Sequence, residues 1–431
     1  MRRRNGMEPH REKRGMAMAY LDRRRAAKLM QQDGIDALLL LTAETFTYAT
    51  GAPAGVATMW RRAGAIAAVI PADPAMAAGA VVSDLFEATF RKASAIEDIR
   101  INPIWVETAD ITGTAGDLAP EALIATSLAT QGRPGGFARP ETFDAALGFR
   151  LVADILRDRG LQNGRIGVEH DSLSVNDFRR LQEALPQATL VDASRLVARL
   201  RMIKSPAEIE HLRTAVALSE AGIEALHRTI AIGVSRDALA AAWTAGVKEE
   251  AARRGVKNLT GLWEYVSVGP NPWVQGGTVE EGSLIKVDVG CLISGYTSDT
   301  GRTFVCGKPT ALQSRLFRGL EAAFAAGLAE LRPGNPMNAV HRAATRAMAE
   351  AGFPDFTRGH FGHGLGTGPG SEEWPFLSAD SDTILEPGMV LAFETPWYVD
   401  GVGGMIIEDQ LLITGDGHEI MNRLPRNLVS V

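Results

Sequence analysis

Four carboxylates and one imidazole sit inside short, apolar, strand-like runs in the last third of this chain. Asp288 lies in Ile285-Lys-Val-Asp288-Val-Gly290, and Asp299 in Gly295-Tyr-Thr-Ser-Asp299-Thr-Gly-Arg-Thr303. His363 lies in Gly362-His-Gly-Leu-Gly366. Glu394 lies in Met389-Val-Leu-Ala-Phe-Glu394-Thr-Pro396, and Glu408 in Gly404-Met-Ile-Ile-Glu408-Asp409. Charged residues are mostly exposed, so any one of these acids reads as well as a surface strand residue. All five with these flanks do not. The donor set is hard to borderline, which suits Mn, Fe, Zn or Co rather than a thiolate metal. Two such divalent ions can polarise a substrate and make water nucleophilic near neutral pH.

Strand alternation supports a shared centre. Leu284, Lys286, Asp288 and Gly290 fall on one strand face, and Thr297, Asp299 and Gly301 on another. With Leu292 to Gly295 as the turn and Cys291 facing Tyr296, Asp288 faces Asp299 across a hairpin. Bare carboxylates opposed in that way repel. A cation between them removes the penalty.

These segments resemble the pita-bread metallopeptidases, a family that includes methionine aminopeptidase, aminopeptidase P, prolidase and the metal-free creatinase. The resemblance covers residues 200–431 most strongly. Arg201-Met-Ile-Lys-Ser-Pro-Ala-Glu-Ile-Glu210 resembles the start of that catalytic domain, and Leu385-Glu-Pro-Gly-Met-Val390 the run before its first glutamate ligand. Asp33-Gly-Ile-Asp-Ala-Leu38 and Tyr48-Ala-Thr-Gly51 resemble the N-terminal domain of the prolidase and creatinase branch. The resemblance implies that Asp299 and Glu408 bridge two ions, with Asp288 on one and His363 and Glu394 on the other. It also implies a homodimer that hydrolyses a small amide such as an Xaa-Pro dipeptide.

A chain of 431 residues is long for one core, so two domains are expected. Helical spacing at 19–34, 149–159 and 176–185 alternates with strand candidates at 37–41, 65–70, 80–83, 166–169 and 189–191. That order predicts an α/β domain over 19–200. Residues 201–431 predict an α+β catalytic domain of the pita-bread type. A faint repeat runs through it: two helices and a strand group, then the same again. Residues 1–18 read as a charged, disordered tail with Met16 or Met18 as an alternative start.

Several function classes are excluded. A net charge of −6 argues against a general nucleic-acid binder. No run reaches the length of a membrane helix. The two cysteines, Cys291 and Cys306, make no disulfide framework, which fits a reduced cytoplasm. The glycine runs at 364–370 and 401–404 lack the strand–loop–helix setting of a phosphate loop.

The chain departs from the peptidase pattern at three places. A histidine expected after Ser267-Val-Gly-Pro-Asn271 falls at Gln275 or Gly276. A second histidine after the metal-site one is replaced by Glu372 or Glu373. The prolidase-branch arginine two positions before the last ligand is Ile406. His360, three residues before His363, partly compensates as a proton carrier or a donor to substrate. Asn271-Pro-Trp-Val-Gln275 and Glu373-Trp-Pro375 resemble segments of metal-dependent dimethylsulfoniopropionate lyases. In those enzymes the acid matching Glu372 is a general base, but Gly290 stands where they carry a further metal-site acid. Burial of Glu372 against Trp374 is expected to raise its pKa toward working pH. Trp263, Trp273, Trp374, Trp397 and Tyr398 fall near the site segments and are candidate walls of a small-molecule or dipeptide-sized pocket. The leading expectation is a hydrolase. A lyase is the alternative, and a non-catalytic binding protein the third reading.

Overall fold

The computed structural model describes residues 19–112, 118–132, 137–274, 276–368 and 372–431. The expected N-terminal tail, its alternative starts and Gln275 lie outside the described residues. The chain divides into two compact units, Met1–Val197 and Ala198–Val431.

The first unit is built on a six-stranded sheet. Its strands are β1 (Ala37–Leu40), β2 (Ala67–Pro71), β3 (Gly79–Ser83), β4 (Asp98–Asn102), β5 (Arg165–Val168) and β6 (Thr189–Asp192). Their order is β4-β3-β2-β1-β5-β6. β1 is fully buried and pairs parallel with β5 and antiparallel with β2. Helix Ala145–Asp158 lays Phe149, Val152, Ile155 and Leu156 on the core that also takes Leu39, Val69 and Ile166. β4 is absent from the sequence reading. Its Asp98-Ile-Arg-Ile-Asn102 is an edge strand, and Arg100 ion-pairs with Asp98 and Asp158. Charged side chains of this kind guard an edge strand against pairing with another chain.

In the second unit each half begins with two helices. Helix Pro206–Thr229 starts on a capping box of Ser205 and Glu208, and helix Ala311–Glu330 on one of Thr310 and Gln313. Helices Arg236–Arg254 and Met337–Glu350 follow them. The first half then supplies β7 (Leu259–Glu264), β8 (Ser267–Val268), β9 (Leu284–Ile293), β10 (Tyr296–Thr297) and β11 (Thr300–Val305). The second supplies β12 (His360–Gly364), β13 (Glu373–Ser378), β14 (Val390–Glu394), β15 (Trp397–Val399), β16 (Gly403–Met405) and β17 (Glu408–Ile413). The main sheet runs β10-β9-β11-β17-β14-β12-β13, and β15 and β16 form a separate ribbon. β11 pairs with β17 and joins the halves.

Alternation sorts the strands' two faces. Val287, Val289 and Cys291 pack on the first helix pair with Leu218 and Trp243. Leu391, Phe393 and Leu411 pack on the second with Phe317, Phe324 and Val340. The acids fall on the opposite face, away from both helix pairs.

A candidate metal centre across four strands

The hairpin register differs from the sequence expectation. The turn is the two residues Ser294 and Gly295, both at positive φ (51° and 84°), so Ile293 faces Tyr296. A two-residue turn with both central residues at positive φ matches the twist of the strands it joins. Asp288 therefore faces Gly301, not Asp299. Asp299 sits between β10 and β11, outside either strand. The kink there is tight: a Cβ on Gly290 would overlap the Ser298 carbonyl oxygen and the Trp263 ring.

The resulting geometry is a row. Asp288 on β9 pairs with Gly301 on β11, Gly301 with Glu408 on β17, and Glu408 with Glu394 on β14. Next to it, His363 on β12 pairs with Ala392. His363 Nε2 lies 3.5 Å from Asp299 Oδ2, and its Nδ1 is 3.0 Å from the Gly364 carbonyl oxygen. A ring whose Nδ1 proton is given to a carbonyl leaves Nε2 with a lone pair for a metal.

Ligand atoms of Asp299, His363 and Glu408 lie within 4.8 Å of one another. All three residues are buried, and Asp299 Oδ1 and Glu408 Oε2 have no hydrogen-bond partner. Buried polar atoms are nearly always satisfied, so two orphaned carboxylate oxygens in one cluster point to a cation. Burial, then the neighbouring acids, pushes the Asp299 and Glu408 carboxyls well above their ordinary range. Burial also raises Glu394 and lowers His363 toward the neutral form a metal takes. The residues present fit a divalent ion.

The outer two acids are differently placed. Lys286 Nζ donates to Asp288 Oδ2 at 3.0 Å. Arg358 Nη2 donates to Glu394 Oε1 at 2.7 Å and its Nε to the His360 carbonyl oxygen at 2.8 Å. The sequence reading noted Lys286 on the Asp288 face but gave it no role, and it missed Arg358 altogether. A lysine two residues before a strand acid was the available signal for the first.

His360 opens β12 and lies between two acids. Its Nδ1 is 3.7 Å from Glu394 Oε1, and its Nε2 is 3.9 Å from Glu372 Oε2. The Gly362 N–H donates to Nδ1 at 3.2 Å, which leaves the neutral ring's proton on Nε2, facing Glu372. Burial lowers the His360 pKa, with Glu394 opposing.

Two expectations are corrected here. The Glu372 side chain is 53 % exposed, so the burial against Trp374 expected from the sequence is absent. Glu373 is held by Arg201, whose Nη2 also donates to the Thr367 carbonyl oxygen at 2.8 Å and Oγ1 at 3.0 Å. A carboxylate held by a guanidinium that also ties down Thr367 fixes a loop and is poorly placed to move protons.

The aromatics split. Trp263 Nε1 donates to Thr297 Oγ1 at 2.9 Å and is structural. Trp374 packs on the second core. Trp397 contacts Phe353 and Phe356 edge-on at 4.9 and 5.0 Å. Trp273 is 70 % exposed yet packs on Tyr398, the ring centres 4.2 Å apart and the planes tilted by 40°. Burial pushes the Tyr398 phenol up to about 12, and Lys286 Nζ lies 5.4 Å from its ring centre. Ile406 is fully buried, its side chain 2.8 Å from where a Gly301 Cβ would stand.

Residues 210–415 match the metallopeptidase family M24, and residues 23–203 match the creatinase/prolidase N-terminal domain. The chain belongs to the pita-bread metallopeptidases, a family of metal-dependent hydrolases. An uncharacterized peptidase of Bacillus subtilis, YqhT, is 29 % identical over 282 residues, 65 % of this chain and 78 % of that protein. An Xaa-Pro dipeptidase of Lactobacillus helveticus is 27 % identical over 285 residues, 65 % of this chain and 76 % of that one. The prolidase structure from Pyrococcus horikoshii OT3 superposes with a TM-score of 0.71 at 20 % identity, covering 94 % and 99 % of the two chains. That likeness establishes the fold. These matches lend the lyase alternative no support. Among the described residues no helix is long and apolar enough to cross a membrane.

Proposed function

We propose that this chain is a metal-dependent dipeptidase of the Xaa-Pro type, acting on a small amide with two divalent ions per chain. The observation that carries it is the pair of partnerless buried oxygens, Asp299 Oδ1 and Glu408 Oε2, within a row of acids. When bound, such ions make water nucleophilic near neutral pH and polarise a carbonyl. Asp299 and Glu408 are the shared ligands in this reading, with Asp288 on one side and His363 and Glu394 on the other.

The chain's own residues supply the rest. His360 Nε2–H faces Glu372, which is solvent-accessible and free to collect or return a proton. His360 Nδ1 lies toward Glu394, so the ring links an inner and an outer carboxylate. Tyr398 and Trp397 line a cleft together with Arg358, the residue that donates to Glu394. A homodimer working in the cytoplasm completes the reading.

The test is a metal measurement followed by a substrate panel. Elemental analysis of protein reconstituted with Mn, Fe, Zn or Co should give two ions per chain. Xaa-Pro dipeptides should then yield two amino acids. Protein that takes up no metal, or that loads fully and cleaves no dipeptide, overturns the proposal.

A further inference from the structure

A separate cavity lies on the helix side of the main sheet, the side opposite the acid row. It holds about 140 Å³ and is bounded by helix Pro206–Thr229, β11 and the C-terminal segment 424–429. Arg302 and Phe304 share the face of β11 that Gly301 does not, because side chains alternate along a strand. Phe304 packs into the core of the first helix pair, and its register partner is Val429. His227 stacks on Phe304 with ring centres 4.8 Å apart, and Ile223, Leu424 and Pro425 add apolar lining. An apolar cavity of roughly 150 Å³ is enough to hold a benzene-sized ring.

The polar wall of the cavity is Arg302, whose side chain is 4 % exposed. Its Nη1 donates to the carbonyl oxygens of Gly301 at 2.7 Å and Glu408 at 2.6 Å. Its Nη2 donates to Asp409 Oδ1 at 2.7 Å and to the Leu424 carbonyl oxygen at 2.8 Å. Nε is buried and has no partner among the described residues. Leaving a buried, charged donor unsatisfied is costly. The bonds from Nη1 and Nη2 fix the guanidinium, so Nε cannot swing toward a new partner. An acceptor has to be brought to it, and the cavity that Arg302 lines is the route.

Charge selects the kind of acceptor. Asp409 is fully buried and already balances Arg302, while its other oxygen takes the partly exposed Arg426. Glu224 also lines the cavity and is exposed, so an entering anion meets its carboxylate. A carboxylate would pay a large desolvation cost among these apolar walls. A neutral oxygen meets neither obstacle.

We propose that this cavity binds a neutral, ring-sized apolar molecule whose carbonyl oxygen accepts from Arg302 Nε. The site is distinct from the acid row and does not depend on the dipeptidase reading. Because the same guanidinium holds the Glu408 carbonyl oxygen, the ligand stands one side chain from the backbone of the row.

The test is a magnetic-resonance titration of the full chain labelled with ¹⁵N-arginine, read at the Arg302 Nε–H signal. The probes are cyclohexanone, acetone and cyclohexanecarboxylate. Cyclohexanone should shift that signal saturably while the other arginine signals stay in place. It should bind at least about tenfold more tightly than acetone, which has less apolar surface to bury. Cyclohexanecarboxylate should bind less tightly than the ketone. Val429→Phe, which puts a ring into the cavity from the C-terminal segment, should weaken cyclohexanone by at least about tenfold. An Nε–H signal that cyclohexanone leaves unmoved overturns the proposal, since a buried water then suffices for Nε. Cyclohexanone affinity that survives in folded Val429→Phe places the ring elsewhere and overturns the cavity. Tighter binding of the carboxylate overturns the neutral class. If Val429→Phe does not fold, the wild-type probes decide, and acetone matching cyclohexanone overturns a ring-sized site.

Discussion

Glu394 and Glu408 stand directly opposite each other on paired antiparallel strands, both buried. Like charges in that position destabilise a sheet, and burial sharpens the repulsion. Arg358 compensates Glu394 from one side, but Glu408 Oε2 has no partner. Without metal, the cheapest remedy is a proton, which is why these carboxyls are pushed up.

The first prediction follows from that proton. Asp299, Glu394 and Glu408 have folded-state pKa values raised first by burial. The folded state then holds protons that the unfolded state has released, so stability falls as pH rises. The contribution is fully present below the unfolded carboxyl range, about pH 4, and is lost as pH climbs through the raised values. Chelator-treated protein should therefore unfold at a higher temperature at pH 6 than at pH 8. Metal-loaded protein should lose that trend, because the cation replaces the proton. A metal-free melting temperature that is flat or rising over this range contradicts the account.

How much of this was legible in the sequence depends on the physics behind each residue. The cluster of Asp299, His363 and Glu408 and the row that Glu408 shares with Glu394 and Asp288 were, because acids inside apolar strand runs conflict with their surroundings. The two helix pairs of the second unit were, in the repeat of two helices and a strand group. The hairpin register was not. It turns on Ser294 taking a positive φ, a conformation its residue type does not advertise. Edge strand β4 was hidden by charges paired only in three dimensions. Arg358 was invisible for the same reason: it reaches Glu394 from 36 residues away in the chain. Glu373 and Glu372 are adjacent and look alike in sequence, yet Arg201 claims only the first.

The ligand set predicts an asymmetry in metal content. Asp299→Ala and Glu408→Ala should each empty both positions, because these two hold the centre of the cluster. Asp288→Ala should spare part of the metal, since Asp288 stands at the end of the row with Lys286 on its carboxylate. Elemental analysis after equal reconstitution separates the cases. Full metal content in Asp299→Ala would show that the bridge lies elsewhere.

Glu372 and His360 should behave as a pair. Losing a general base costs roughly 10²–10⁴-fold in rate. Glu372→Gln should lower kcat by that order while both ions stay bound, and His360→Gln should do the same. The double variant should be little worse than either single one, because the two act on one proton path. Glu373→Gln should leave the pH–rate profile unchanged, since Arg201 already holds that carboxylate. If Glu372→Gln keeps near wild-type turnover on a dipeptide, the proton moves by another route.

Gly290 supplies the last prediction, because its missing side chain makes room for Asp299. A Cβ at 290 would overlap the Ser298 carbonyl oxygen, one residue before Asp299, and the Trp263 ring. Both neighbours are fixed: Ser298 N–H donates to the Cys291 carbonyl oxygen at 3.0 Å, and Trp263 Nε1 to Thr297 Oγ1 at 2.9 Å. Neither moves without breaking a hydrogen bond. Overpacking of this kind costs about 1–3 kcal/mol, and the displaced segment carries Asp299 with it. Gly290→Ala should therefore weaken metal binding as well as lower stability. Gly261→Ala on neighbouring β7 is the control, where a Cβ meets only the Leu292 side chain at 3.3 Å. Metal titration of the folded variants should show a loss of affinity in Gly290→Ala and none in Gly261→Ala. Wild-type metal affinity in a folded Gly290→Ala protein would mean that the kink at Ser298 does not position the ligand.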